Sequence, residues 1–212
     1  MCTGLSEKEL YISLSQIDGY HSPKLYLEQY ITPPNIAATI IKFIDEEYQD
    51  IRGKNLLDLG CGTGMLSIGS CLLGSHSFGI DVCQRALGVA RENISRLGVN
   101  DVDFICGDIT NIKQFFIPKK IDTVLMNPPF GTKDNYGIDI KFIDAAISVS
   151  CNSIYSLHKT TTRKHILEFG EMRKLQTNVL AEIRFNIDNT FKFHKKKSVD
   201  IDVDLIKFEV CD

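Results

Sequence analysis

The chain has 212 residues, 43% of them hydrophobic, and a net charge of −3. That is enough apolar material for one substantial core, no apolar run reaches the length of a bilayer span, and a chain that is polybasic throughout is excluded. Charge is unevenly spread: residues 1–150 carry 13 Lys/Arg and 18 Asp/Glu, residues 151–212 carry 11 and 9. Any nucleic-acid contact is therefore expected to be local and biased toward the C-terminal part. Met1 to Leu10 lacks a basic region followed by an apolar one, so no secretory signal is read. The seven cysteines are odd in number and form no CxxC pair, which predicts buried free thiols in a reducing compartment. Neither they nor the five histidines have metal-ligand spacing, and no metal is expected in this chain.

Ser6 to Ile17 places Leu10, Leu14 and Ile17 at helical spacing, with Ser6 as cap and Glu9 at the capping-box position. Gly19 to Pro23 breaks that pattern. Thr32-Pro33-Pro34 predicts a second helix, with threonine as cap and proline in the first turn, running to about Tyr48. Short apolar runs then alternate with helical patterns. Strands are predicted at 54–58, 76–80, 102–106, 121–126 and 151–157, and helices at 64–73, 84–97, 139–149 and 162–173. Such alternation argues for a parallel sheet covered by helices on both faces. Residues 178–186 and 198–209 follow as an antiparallel pair. In the second of these, Val199, Ile201, Val203 and Leu205 alternate with Asp200, Asp202 and Asp204, which predicts one wet face. The whole reads as one domain over 1–212, with residues 1–50 as a helical N-terminal extension.

Two motifs carry chemistry. Gly60, Gly62 and Gly64 form a turn between a strand and a helix, where the backbone can approach a ligand that a Cβ would exclude. Asp81 comes 21 positions after Gly60, at the end of the next strand, where a carboxylate takes ribose hydroxyls. Asp108, at the end of the third strand, is placed to accept from an adenine amine. The spacing is GxGxG rather than the GxGxxG of a nicotinamide dinucleotide site. The second motif, Asn127-Pro128-Pro129-Phe130, follows the apolar run Thr123 to Met126. An exocyclic amine on a planar ring is a poor nucleophile, because its lone pair is delocalised. Two acceptors that take its N–H groups and aim the lone pair lower the barrier by geometry. Asn127 offers a side-chain oxygen and Pro128 a carbonyl. Pro129 forces Pro128 to be extended, and Phe130 offers a flat face for the base. A base must be single-stranded or flipped out to reach such a site. Together the motifs predict an N-methyltransferase that uses S-adenosylmethionine. Adenine N6, guanine N2 and the glutamine side-chain amide are all planar amines, and four residues do not choose among them. A non-catalytic scaffold that binds the cofactor is a further alternative, against which the intact Asn127 argues.

Other segments are candidates for substrate contact. Thr32 can also wall in the methionine end of the cofactor. Lys195, Lys196 and Lys197 form the strongest basic run and are read as phosphate contacts. Lys159, Arg163 and Lys164 can extend that patch, whereas His158 and His165 are read as structural or surface residues.

Five segments carry a family resemblance: Glu28-Gln29-Tyr30-x-Thr32, Asp58 to Gly62, Met126 to Lys133, Tyr155-Ser156-Leu157-His158-Lys159, and Phe191 to Asp200. Over about residues 5–210 the chain resembles the methyltransferase-like protein 5 family of ribosomal RNA adenine N6-methyltransferases. The resemblance implies a class I methyltransferase fold: a seven-stranded, mostly parallel sheet with an antiparallel last strand. It implies N6-methylation of one adenosine in small-subunit (18S) ribosomal RNA, in the nucleus and cytoplasm where that RNA occurs. It also implies an obligate heterodimer with a small zinc-binding activator subunit. On matching positions, Gln29, Thr32, Gly60, Thr63, Met65, Asp81 and Asp108 would contact S-adenosylmethionine, and Asn127 to Phe130 would hold the adenine. Thr63 departs from the family pattern, which often has cysteine there, and the segment between Leu73 and Asp81 is slightly compressed. In the implied sheet order Val102 to Cys106 lies at an edge, where a partner can add a strand. The last strand is implied to lie between two others, which conflicts with one wet face. Either the sheet is thinly covered there or the aspartates meet the lysine run.

Overall fold

In the computed structural model, residues 4–131, 135, 137–188 and 198–210 are described. Lys195, Lys196 and Lys197 lie outside the described residues, as do Cys2 and Cys211.

The first helix, α1 (Glu7–Leu14), is too short to hold itself in water and owes its place to its cap and its packing. Ser6 and Glu9 close the expected capping box, and Leu10 and Leu14 are fully buried. Helix α2 (Pro34–Tyr48) buries Ala37, Ala38, Ile40, Ile41 and Ile44 on one face. Then come β1 (Asn55–Leu59), α3 (Met65–Leu72), β2 (His76–Asp81), α4 (Gln84–Leu97), β3 (Val102–Cys106), β4 (Ile121–Met126), α5 (Ile138–Val149), β5 (Ser150–Lys159), α6 (Arg163–Met172), β6 (Gln176–Asp188) and β7 (Ser198–Glu209). The predicted strands and helices are all present.

The seven strands form one sheet in the order β3-β2-β1-β4-β5-β7-β6. Neighbours from β3 to β5 are parallel, whereas β7 runs antiparallel to both β5 and β6. This is the class I methyltransferase topology. Chain direction across the sheet reverses between β1 and β4, and such a switch point opens a crevice beyond the carboxyl ends of the strands. One face of the sheet packs against α1, α2 and α3, through Leu14, Ile41 and Ile68 on Leu56, Leu125 and Leu157. The other packs against α5 and α6, through Phe142, Ile143, Ile166 and Phe169 on Leu57, Val124, Ile154 and Ile206. Strand β3 is at an edge, as expected.

Strand β7 resolves the conflict over its wet face. Its pairing with β5 spans Val203 to Glu209 only, while residues 198–202 pair with β6 alone. The β6–β7 hairpin thus runs past the rest of the sheet. Asp200 and Asp202 are exposed there, but Asp204 is fully buried, which corrects the expectation of one wet face throughout. Two of the aspartates meet arginines, and the lysine run lies outside the described residues. Asp204 accepts from Arg163 Nε at 2.7 Å and Nη2 at 2.6 Å, and from Thr160 Oγ1 at 2.9 Å. Asp200 pairs with Arg184 at 3.0 Å. Arg163 also bonds Glu182, so its charge is met by two carboxylates of the fold.

No disulfide joins the five described cysteines. Cys61 and Cys83 are buried, Cys71 and Cys151 half-buried, and Cys106, on the β3 edge, is exposed rather than buried. No described helix is long and apolar enough to cross a membrane.

Candidate active site

The glycine turn is assembled by backbone bonds that tie two strand ends together. Gly60 and Cys61 both donate to the Ile80 carbonyl, at 2.8 and 3.1 Å. Gly62 sits at φ +55°, a left-handed conformation that costs an L side chain, and its N–H donates to Asp81 Oδ2 at 2.9 Å. Below the turn, the buried Asp58 accepts from the backbone N–H and hydroxyl of Ser67, at 2.9 and 2.7 Å. This anchors the first turn of α3. Burial nonetheless pushes the Asp58 carboxyl up to about 7, with Ser67 opposing the shift.

These elements border a cavity of about 410 Å³. It is within the size range of small-molecule sites. All seven residues expected to hold a cofactor line it: Gln29, Thr32, Gly60, Thr63, Met65, Asp81 and Asp108. Asn127 and Pro129 line its other end. Pro128 is buried behind them, and Phe130 is half-buried beside them. Asp81 is fixed by Gly62 and by Cys83, whose N–H donates to Oδ1 at 2.7 Å. Each oxygen retains a lone pair for a hydroxyl, because a carboxylate oxygen accepts more than one bond. Burial raises the Asp81 pKa despite those two donors. Asp108 is exposed, and its Oδ1 accepts from the Thr110 backbone and hydroxyl, both at 2.8 Å. It therefore caps the short helix Ile109–Gln114 at the rim of the cavity.

Thr63 carries a specific sign of a ligand. Its side chain is buried and lines the cavity, and Oγ1 has no hydrogen-bond partner among the described residues. Buried hydroxyls are nearly always satisfied, so this one calls for a polar group from the cavity. No cluster able to hold a metal ion occurs among the described residues.

The structure corrects the role read for Thr32 in α2. The helix cap is Pro33, with no side-chain cap bond, and Pro34 opens the helix. The Thr32 hydroxyl is engaged elsewhere, accepting from Asn127 Nδ2 at 2.9 Å. At its other end the same amide accepts from Tyr30: Oη donates to Asn127 Oδ1 at 3.0 Å. The Tyr30 and Phe130 rings lie 5.4 Å apart at 30°. Lys159 Nζ stands 5.5 Å from the Phe130 centroid, so Lys159 reaches the active site. Lys164 is exposed and faces Glu168 of its own helix. His158 is buried with Nε2 2.7 Å from Ser156 Oγ, and His165 is exposed, in line with structural and surface roles.

Sequence reasoning found only Gln29 and Thr32 of the roof. Residues 20–32 pass over the cavity, contributing Tyr20, Tyr26, Leu27, Glu28, Tyr30 and Ile31 to its wall. A Cβ on Gly62 would collide with the Tyr20 hydroxyl, so the glycine makes room for the roof. Asn135 pins this segment, donating to the Tyr26 carbonyl at 2.8 Å and to Glu28 at 3.1 Å. The available signal was three tyrosines in a stretch with no helical or strand period. Phe142 of α5, packed under Gly60, was missed as well.

Comparison with known proteins agrees with this geometry. Residues 51–184 match a methyltransferase domain family model. The chain is 45% identical to the rRNA N(6)-adenosine-methyltransferase METTL5 of Danio rerio, over 95% of this chain and 97% of that one. It is 43% identical to the Drosophila melanogaster protein of the same name, over 97% of each. Among solved structures, a Pyrococcus horikoshii protein described as a candidate RNA methyltransferase superposes with a TM-score of 0.85 at 33% identity, covering 98% of this chain and 99% of that one. With such relatives along nearly its whole length, the chain belongs to the METTL5 family of methyltransferases.

Proposed function

We propose that this chain transfers a methyl group from S-adenosylmethionine to N6 of an adenosine in small-subunit ribosomal RNA. The observation that carries the reading is one cavity joining the Gly60–Gly64 turn and Asp81 to Asn127 and Pro129. The residues present fit the cofactor. Asp81 would take the ribose hydroxyls, Thr63 Oγ1 would bond a polar group of the ligand, and Gln29 and Met65 would wall it in. When bound, S-adenosylmethionine supplies an activated methyl on a sulfonium.

The chain's own residues then act on the acceptor. Asn127 Oδ1 and the Pro128 carbonyl accept the two N–H groups of the amine, which turns its lone pair toward the cavity. Phe130 and Tyr30 form an aromatic wall on which a flipped-out base stacks, and Lys159 is placed to meet a nearby phosphate. Lys195 to Lys197 extend that grip. The names of the relatives favour adenine N6 over guanine N2 or glutamine among planar amines. The proposed partner is the small zinc-binding activator subunit, added as a strand at the β3 edge, where Cys106 is exposed and Phe104 half-buried. With this substrate the chain works in the nucleus and cytoplasm, where small subunits are made and used.

The test is transfer of labelled methyl groups by the full chain, with the activator subunit, into purified small-subunit RNA, large-subunit RNA and total protein. Label in small-subunit RNA alone is expected. Label confined to protein would overturn the reading.

A further inference from the structure

We propose that Tyr30 is a positioning residue for the methyl acceptor: its hydroxyl, together with that of Thr32, fixes which end of the Asn127 amide faces the target amine. This rests on the function proposed above and deepens it. The two ends of a carboxamide are nearly equal in size and opposite in hydrogen-bonding sense. Only the oxygen end can accept the N–H of an amine. Turned round, Asn127 would present N–H to N–H and repel the substrate it should orient. The amide therefore needs a device that distinguishes its ends.

The structure supplies two different hydroxyls, one at each end. The Tyr30 phenol lies 3.0 Å from Oδ1, and the Thr32 alcohol lies 2.9 Å from Nδ2. These groups are not interchangeable. A phenol is a strong donor and a poor acceptor, because its lone pair is shared with the ring. An aliphatic alcohol accepts better. The pair thus favours oxygen toward Tyr30 and nitrogen toward Thr32. Burial, with Glu28 and Tyr20 adding to it, holds the Tyr30 hydroxyl protonated well above the usual phenol range, so it remains a donor. The Tyr30 ring is held in turn against Phe130. The carbonyl-type Oδ1 has two lone pairs, so it can accept from Tyr30 and from the target amine together. Tyr30 reaches Asn127 from a segment 97 positions away in sequence, in the roof of the cavity.

The experiment compares the full chain with Tyr30→Phe, which keeps the ring and removes only the hydroxyl. Four quantities are read: kcat and KM on RNA, the cofactor dissociation constant, and the side-chain amide signals of Asn127 in a ¹⁵N spectrum, assigned by their loss in Asn127→Ala. The expected result is kcat about tenfold lower, the worth of one directed hydrogen bond, with moved amide signals and unchanged KM and cofactor affinity. Unchanged kcat, unmoved amide signals, or a loss that appears equally in cofactor affinity would each overturn the proposal. If the wild-type chain leaves RNA unlabelled, the functional reading fails. The amide signals still decide the clamp in that case.

Discussion

At the residue scale, the site works by placing acceptors rather than by supplying a strong base. None of the described residues lining the cavity is a histidine or lysine. His158, on β5, is buried and bonded to Ser156. Asp81 shows how tightly such placement is built. Two backbone N–H groups hold its carboxylate, one to each oxygen. Asp81→Asn keeps the shape but offers one of those donors an N–H in place of an acceptor. Charged hydrogen bonds of this kind contribute roughly 1.5–3 kcal/mol, so the cofactor should bind about ten- to a hundredfold more weakly. Titration calorimetry checks this, and equal affinity would remove Asp81 from the site.

At the element scale, β5 couples stability to pH. Burial pushes the His158 imidazole down to about 3, against the attraction of Asp204. The sign follows from proton uptake. Below its ordinary value near 6.5, the unfolded chain takes up a proton that the folded chain refuses until about pH 3. Stability from this group is thus complete above pH 6.5 and is lost as pH falls toward 3. In urea unfolding, the wild type should lose more stability between pH 7 and pH 5 than His158→Gln does. Equal losses would mean that His158 takes up its proton in the fold as freely as in the unfolded chain.

The same scale shows what a sequence can and cannot declare. The strands and helices of the sheet were legible to within a few residues, because period and glycine punctuation are local signals. The glycine turn and Asn127 to Phe130 were legible because chemistry demands those residue types together. Most of the roof over residues 20–32, Gln29 and Thr32 apart, was not, since its order comes from long-range bonds such as Asn135 to Glu28 rather than from any repeat. Thr32 looked like a cap because Thr-Pro-Pro is a local cue, and a distant amide took its hydroxyl instead. Asp204 looked wet because alternation does not reveal an arginine on a preceding helix.

At the scale of the whole molecule, the sheet ends on one side at strand β3. Strand β3 has one neighbour, β2, and Phe115, beside Gly107 at its end, is exposed. Free edges invite strand addition. If the activator subunit binds there, amides of residues 102–106 should gain protection from hydrogen exchange on mixing, while those of β6 at the opposite edge should not. Protection at β6 alone would move the interface to the other side of the molecule.

The central claim is that the cavity delivers a methyl group to an adenine amine held by Asn127. The most direct measurement is to methylate small-subunit ribosomal RNA with labelled S-adenosylmethionine, digest it to nucleosides and identify the labelled one. The account predicts N6-methyladenosine from the wild-type chain and none from Asn127→Ala. Labelled N2-methylguanosine, or undiminished N6-methyladenosine from the variant, would contradict it.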